Sequence, residues 1–206
     1  MNHKISIEQI RDSIPASPSD DLLRLWGYDL VSEYVQILHT ARLDTEQPVL
    51  ELATGTGRMA ALLTRLGFRV LTGDLTDEEH ARANARVTPA YADKVQHLRL
   101  DMRNLPFGDQ SVSTIVCLNT LHELDDPRTC LSELIRIHDP GGTLVIGDFS
   151  EIGFAVMQRL HRAVHGDDHR SGCLRITEAK PLLAEVFPVI REVVTPLNIS
   201  YIVCCT

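Results

Sequence analysis

Short apolar runs alternate with amphipathic segments along most of the chain. From residue 21 to about 42, apolar residues recur near a 3.6-residue period, which predicts a helix with one buried stripe. Beyond Pro48 the apolar runs show little polar alternation, as is typical of buried parallel strands, and helical periodicity lies between them. The predicted strands are 49–53, 68–73, 95–100, 113–119 and 143–149, and the predicted helices are 57–66, 77–87, 127–138 and 151–165.

The end of the chain has a different pattern. Two β-rich runs, 189–195 and 199–205, are joined by only a few residues around Pro196, and so short a link forces an antiparallel hairpin. We therefore predict an α/β fold: a doubly wound, seven-stranded, mostly parallel sheet with an antiparallel C-terminal hairpin strand and helices on both faces. Residues 1–43 are expected to form an N-terminal arm and a capping helix, with a loose arm over residues 1–19, and residues 44–206 the main domain.

Composition narrows the functional classes. The 28 acidic and 20 basic residues give a net charge of −8, which disfavours nonspecific binding to nucleic acid or to an anionic membrane. No apolar run approaches the ~20 residues that span a bilayer, and the N-terminus lacks the apolar core of a signal peptide, so we expect a cytoplasmic protein. The odd number of cysteines without a C-x-x-C pair indicates reduced thiols. The sequence does not indicate an oligomeric state.

A glycine-containing turn follows the first predicted strand. Gly55 and Gly57 lie where that strand gives way to a helix, and glycines there let a ligand approach the backbone. Nineteen residues after Gly55, the second strand ends at Asp74, whose carboxylate is placed to accept hydrogen bonds from a ribose. A nucleoside-containing ligand is therefore predicted. The turn also satisfies the dinucleotide pattern G-x-G-x-x-A through Ala60, so a nicotinamide-dependent reductase is an alternative.

Three further features favour another class of ligand. Glu51 lies inside the first strand, Asp101 closes the third strand, and the chain ends in the hairpin. With the glycine turn, they resemble the class I S-adenosylmethionine-dependent methyltransferases over about residues 48–149. The resemblance implies a Rossmann-like methyltransferase domain at residues 44–206, with S-adenosylmethionine as cofactor and S-adenosylhomocysteine as product.

Carried over to this sequence, the family's cofactor-binding roles fall on nine positions. The glycine motif falls on Glu51, Ala53, Gly55 and Gly57, with alanine and threonine in places where glycine is more usual. The resemblance implies that Asp74 binds the ribose and that Leu75 packs against the adenine. It further implies that Asp101 and Met102 contact the adenine edge and that Asn119 meets the methionine part.

Histidines mark the predicted acceptor side. His122 follows the fourth strand and is a candidate catalytic residue; His161, His165, His169 and Cys173 recur every four residues. On a helix, His161 and His165 share a face and are candidates for catalysis or, with His169 or Cys173 as a third donor, for binding a divalent transition metal. The segment after the fourth strand lacks the signatures associated with base or glutamine methylation, which favours a small-molecule acceptor.

These observations predict an enzyme that moves a methyl group from S-adenosylmethionine to a small molecule. Two alternatives stay open at this point: the nicotinamide-dependent reductase, and a non-catalytic cofactor-binding module that regulates a partner.

Overall fold

A computed structural model describes residues 6–169 and 172–204 of the chain, with only the backbone of Cys204. Cys117, Cys130 and Cys173 have no disulfide partner among the described residues, and Cys204 and Cys205 lie outside the described side chains, so the reduced state stays a prediction. In the described ranges, no helix is both long and apolar enough to cross a bilayer.

The centre of the fold is a single seven-stranded sheet. Its strands in chain order are β1 (Val49–Leu52), β2 (Val70–Asp74), β3 (Val95–Arg99), β4 (Val112–Leu118), β5 (His138–Phe149), β6 (Ile190–Val194) and β7 (Asn198–Cys204). The order across the sheet is β3-β2-β1-β4-β5-β7-β6. Strand β7 is antiparallel to both β5 and β6, and the other pairings are parallel. The predicted fold class is confirmed.

Helices cover both faces of the sheet. They are α1 (Ile7–Asp12), α2 (Pro18–Leu25), α3 (Leu30–Ala41), α4 (Arg58–Arg65), α5 (His80–Val87), α6 (Pro127–Ile137), α7 (Glu151–Val164) and α8 (Ile176–Ala184). Neighbouring strand residues point to opposite faces: Val49 packs in the core beneath α3, α4 and α7, whereas Leu50 packs in the core beneath α6 and α8. Strands buried on both sides explain the unbroken apolar runs in the sequence.

The N-terminal region differs from the prediction of a loose arm followed by one helix. Residues 7–12 form α1, capped by Ser6, and Ile10 and Ile14 are buried in the same core as the sheet. The predicted long helix is two helices, α2 and α3, because Gly27 adopts a φ of 87° between them. The domain boundary between residues 43 and 44 stays a prediction.

Helix α8 lies in a stretch for which the sequence analysis predicted no element. Ile176, Ala179 and Leu183 are buried at a spacing that places them on one helical face, and the Glu178 carboxylate caps the first turn by accepting the Arg175 backbone N–H at 2.8 Å. This apolar spacing was present in the sequence but short.

A buried group of three charges attaches α2 to the main domain. Asp20 lies in the first turn of α2, and its carboxylate accepts hydrogen bonds from Arg58 of α4 at 2.7 Å and from Arg86 of α5 at 3.0 Å. Burial opposes ionisation, but the two guanidinium groups outweigh it and lower the pKa of Asp20 to about 2. The carboxylate thus compensates two charges that have little access to water.

Replacing Asp20 tests this attachment. We expect Asp20→Asn to lower the free energy of unfolding by about 3 kcal/mol near pH 7, because it leaves buried guanidinium groups without their counter-charge. Since the folded pKa lies below its ordinary value of 3.8, the difference from wild type should be complete above pH 4 and shrink as the pH falls through about 2. Urea unfolding over a pH series measures it.

Asp21→Asn is the matched control. The Asp21 carboxylate is largely exposed, and its ion pair is a weak one, with 3.9 Å between its oxygen and the Arg24 guanidinium nitrogen. An Asp20→Asn protein no less stable than Asp21→Asn would contradict the account.

Candidate functional site

A cleft runs along the carboxyl ends of the parallel strands, between α2 and α3 on one side and the loop after β4 on the other. It consists of two cavities of about 240 and 320 Å³, whose walls share Ala53, Asp74 and Glu123. The smaller cavity lies over the ends of β2 and β3, and the larger one over the ends of β1 and β4. Together they are in the size range of cofactor and ligand pockets.

The turn after β1 opens the floor of this cleft. Ala53, Gly55 and Gly57 have φ values of 60°, 45° and 75°, so the backbone turns through the left-handed region three times in five residues. At Gly57 a side chain is excluded, because a Cβ atom would lie 2.6 Å from the Cα of Ala83 in α5. Ala53 adopts this conformation despite its Cβ, at a cost of ~1–2 kcal/mol. The N–H groups of Ala53 and Thr54 donate to the Gly73 carbonyl and that of Gly57 donates to the Thr54 carbonyl, so the turn is held by its own backbone.

Asp74 ends β2 beside this turn. Its carboxylate accepts the backbone N–H of Gly55 at 2.9 Å and that of Leu75 at 2.8 Å, and it lines both cavities. Leu75 is 52% exposed at the wall of the smaller cavity. The predicted acid and glycine turn are therefore in direct contact. Each Asp74 oxygen accepts one backbone N–H and can accept a further hydrogen bond from a ligand.

Asp101 and Met102 lie at the far end of the smaller cavity. The Asp101 carboxylate forms a bidentate pair with the Arg103 guanidinium, at 2.9 and 2.7 Å, and also accepts the Arg103 backbone N–H. These bonds hold the pKa of Asp101 at about 2. A ligand that uses Asp101 must share it with Arg103 or displace this exposed side chain.

Glu51 places a carboxyl group beneath the turn. Its side chain is buried in the wall of the larger cavity and accepts a hydrogen bond from the Thr72 hydroxyl. The Thr72 oxygen in turn accepts a hydrogen bond from the Thr54 hydroxyl at 2.6 Å. Burial raises the pKa of Glu51 to about 7; the bond from Thr72 lowers it and nearby Asp74 raises it. A cationic ligand beside it would favour the ionised carboxylate.

Asn119 follows β4 on the opposite wall of the larger cavity. It has a φ of 56°, and its side-chain N–H donates to the Tyr34 hydroxyl of α3 at 2.7 Å. Its buried side-chain oxygen has no hydrogen-bond partner within the described ranges. Such an atom is suited to accept a hydrogen bond from a ligand, and an ammonium group fits it.

His122 is buried next along this wall. Its Nδ1 lies 2.7 Å from one oxygen of Asp148, at the end of β5, and its backbone N–H donates to the other oxygen at 2.9 Å. Burial favours the neutral ring, but the bond to Asp148 and the nearby Glu123 outweigh it and raise the pKa of His122 to about 9.

The other three histidines of the predicted cluster line the same cavity. Helix α7 ends before Gly166, and the chain turns so that His169 packs against His161, with ring centres 4.4 Å apart, and against His122 at 4.9 Å. His165 is exposed and lies 5.2 Å from His161. Burial, His122 and His161 lower the pKa of His169 to about 4.

The structure gives the metal hypothesis no support. Across residues 6–169 and 172–204, no three His, Cys, Asp or Glu side chains are arranged to hold a metal ion. His161 instead packs by its ring against the tilted rings of His165 and His169. Cys173 is exposed and is absent from the cavity wall.

Sequence reasoning missed three residues of the site. Asp148 carries the same signal as Asp74 and Asp101, an acid at the end of a buried strand, and could have been found on that basis. Arg58 begins α4 at the end where the helix dipole disfavours a cation, which indicates an acidic partner elsewhere. Tyr34 carried no signal apart from its place in the apolar stripe of α3.

Comparison with known proteins agrees with this geometry. Residues 50–146 match the family model described as a methyltransferase domain. A demethylmenaquinone methyltransferase of Clavibacter sepedonicus is 34% identical over 102 residues, which are 50% of this chain and 41% of that protein. One from Paenarthrobacter aurescens (strain TC1) is 28% identical over 158 residues, 72% of this chain and 59% of that protein. The chain spans about half the length of these relatives.

The fold comparison covers more of the chain. The solved structure of an S-adenosylmethionine-dependent methyltransferase from Aquifex aeolicus has a TM-score of 0.61 at 21% identity, covering 97% of this chain and 98% of that one. The resemblance inferred from the sequence is thus confirmed: residues 50–146 match a methyltransferase domain, and the chain has the fold of an S-adenosylmethionine-dependent methyltransferase.

Proposed function

We propose that this protein transfers the methyl group of S-adenosylmethionine to a small acceptor bound in the larger cavity, and that the acceptor is a quinone-type ring in its reduced form. The observation that carries the first part is the continuous cleft over the strand ends, in which a glycine turn and two aspartates lie in the order that an adenosyl ligand requires.

The described side chains suggest a place for each part of the cofactor. The adenine fits the smaller cavity between Leu75 and Met102, with Asp101 at its edge, and the ribose hydroxyls fit the Asp74 carboxylate where the two cavities meet. The methionine part then reaches the larger cavity, where the free Asn119 oxygen and the Glu51 carboxylate suit its ammonium group.

The charges around the turn favour this ligand over a nicotinamide dinucleotide. A dinucleotide would bring a doubly negative pyrophosphate to the turn, beside Asp74 and above Glu51. The nearest cation, Arg58, is already paired with Asp20. A sulfonium ligand instead brings positive charge to these acids, and the acids attract it.

A bound sulfonium supplies an already activated methyl group, so this chain needs no nucleophile of its own. Its contribution is to hold the acceptor in line with the methyl group and to keep water out. Phe149, Met157 and Leu160 give the larger cavity an apolar wall for a flat ring, and the histidines give it polar edges. The relatives named demethylmenaquinone methyltransferases support a quinone-type acceptor.

Ligand titration with a turnover assay tests the proposal. We expect S-adenosylmethionine and S-adenosylhomocysteine to bind with micromolar affinity by calorimetry, and NADH to bind far more weakly. Addition of 1,4-naphthohydroquinone under anaerobic conditions should give a methylated ring, detected by mass spectrometry. Preferential NADH binding would favour the reductase alternative, and tight binding without methylation of any quinol would favour a regulatory module.

Asp74→Ala tests the ribose contact. We expect the free energy of S-adenosylhomocysteine binding to weaken by about 1–3 kcal/mol, or roughly fivefold to 150-fold in affinity, because the ribose hydroxyls lose their acceptor. Asp77→Ala is the matched control: its side chain is 70% exposed, and it is absent from both cavity walls. Equal affinities for the two variants, with both folded by circular dichroism, would mean that the ribose binds elsewhere.

A further inference from the structure

His122 and Asp148 form a buried pair whose geometry goes beyond what cofactor binding requires. Both Asp148 oxygens are engaged by the same residue, one by the ring nitrogen Nδ1 and the other by the backbone N–H. The Phe149 backbone N–H also donates to Asp148 at 2.8 Å. Because an ionised carboxylate only accepts, Nδ1 carries a proton, and any change of protonation on the ring occurs at Nε2.

His122 lines the larger cavity, and its Nε2 atom has no hydrogen bond among the described residues. It is buried and has no hydrogen-bond partner in the described part of the chain, and Glu123 Oε1, at 3.6 Å, is beyond hydrogen-bond distance. Buried polar atoms without partners are rare in folded proteins. This one lies on the wall where the acceptor is proposed to bind, which indicates that a ligand supplies the missing partner.

Rings and backbone around His122 fix its orientation. Phe149 and Phe154 pack against the imidazole with centres 5.4 and 5.3 Å away. Gly172 lies over the His122 carbonyl so closely that a Cβ atom at that position would be 2.2 Å from its oxygen. The aromatic contacts and the Nδ1–Asp148 bond together hold the ring in one orientation, which fixes the direction of Nε2.

We propose that His122 Nε2 takes the proton that the acceptor loses during methyl transfer, that Asp148 is its positioning residue, and that the acceptor carries an ionisable hydroxyl group. This inference rests on the proposed function. An acceptor oxygen, or a ring carbon made nucleophilic by an adjacent hydroxyl, forms a bond to the methyl carbon. The methyl–sulfur bond breaks with its electron pair going to sulfur, and the hydroxyl or ring proton moves to Nε2.

The electrostatic surroundings match a hydroxyl better than a thiol or an amine. The charged and titratable groups that face His122 are Asp148 from β5, Glu123 from its own loop, and His169 with His161 behind it. Burial lowers the pKa of His122, but Asp148 and Glu123 raise it more, to about 9. This value is close to the pKa of about 10 for a phenolic hydroxyl. A thiol ionises by itself near pH 8.5, and a neutral amine attacks through its own lone pair, so neither depends on this base as a hydroxyl does.

The experiment compares wild type with His122→Gln and Asp148→Asn. Carbon-detected NMR of ¹³C-histidine-labelled protein should show one ring that titrates near pH 9 in wild type, is missing in His122→Gln and titrates at lower pH in Asp148→Asn. Methylation of 1,4-naphthohydroquinone should rise with pH up to about 9 in wild type and fall at least about 100-fold in His122→Gln. In Asp148→Asn the rise should move to lower pH, which loss of structure alone would not cause.

Two controls separate this inference from the proposed function. All variants should bind S-adenosylhomocysteine within about threefold of wild type, because neither residue is assigned to the cofactor; a common loss of binding would count against the site as a whole. His138→Gln removes an equally buried histidine from the opposite end of β5 and should leave the pH profile unchanged. His122→Gln should methylate naphthalene-1-thiol at a rate within about threefold of the wild-type rate, because a thiol does not depend on this base.

Either of two results would overturn the proposal. One is a His122→Gln protein that methylates the quinol with the wild-type pH profile. The other is an unshifted His122 resonance, which is measured if no probe is methylated. Addition of 1,4-naphthohydroquinone to the S-adenosylhomocysteine complex should shift this resonance, and no shift would exclude contact between His122 and a hydroxyl acceptor.

Discussion

The site depends on the parallel pairing of the central strands. β1 pairs with β2 from Val49↔Val70 to Leu52↔Gly73 and with β4 at Leu50↔Ile115, while β2 pairs with β3 as far as Asp74↔Arg99. Because these strands run in the same direction, their carboxyl ends meet at one edge of the sheet. The glycine turn, Asp74 and Asp101 are thereby brought to a common cleft although they lie far apart in sequence. A shift of one residue would turn each of these groups toward the other face.

Buried charges connect this edge to the surrounding helices. Asp20 joins the N-terminal helices to Arg58, the first residue after the glycine turn, and Asp148 joins the end of β5 to the loop after β4. The Asp20 and Asp148 carboxylates each accept several hydrogen bonds, so neither buried negative charge lacks partners. The N-terminal helices and the acceptor wall are thus fixed to the same strand ends, and one rigid frame positions both proposed halves of the reaction.

Sequence alone predicted the strands, their reversal at the end of the chain, and the glycine turn with its acids, because buried parallel strands leave unbroken apolar runs and ligand residues follow them directly. The sequence predicted that His161, His165 and His169 lie on the acceptor side; the structure places them in the wall of the larger cavity, and the metal was an inference from spacing. Spacing places side chains on one face of a helix and does not fix where their nitrogens point. Asp20 contacts Arg58 across 38 residues and Tyr34 contacts Asn119 across 85 residues, and no local pattern reveals such contacts. Asp148, in contrast, carried the signal of an acid at the end of a buried strand.

The central claim is that an adenosyl group lies across the ends of β1, β2 and β3. A crystal structure of the protein with S-adenosylhomocysteine measures this directly. The account predicts ribose hydroxyls within hydrogen-bond distance of the Asp74 carboxylate, the adenine between Leu75 and Met102, and the Asp101–Arg103 pair opened or shared with the base. A nucleoside bound away from residues 51–57, with the Asp74 carboxylate still bonded only to the backbone N–H groups of Gly55 and Leu75, would contradict it.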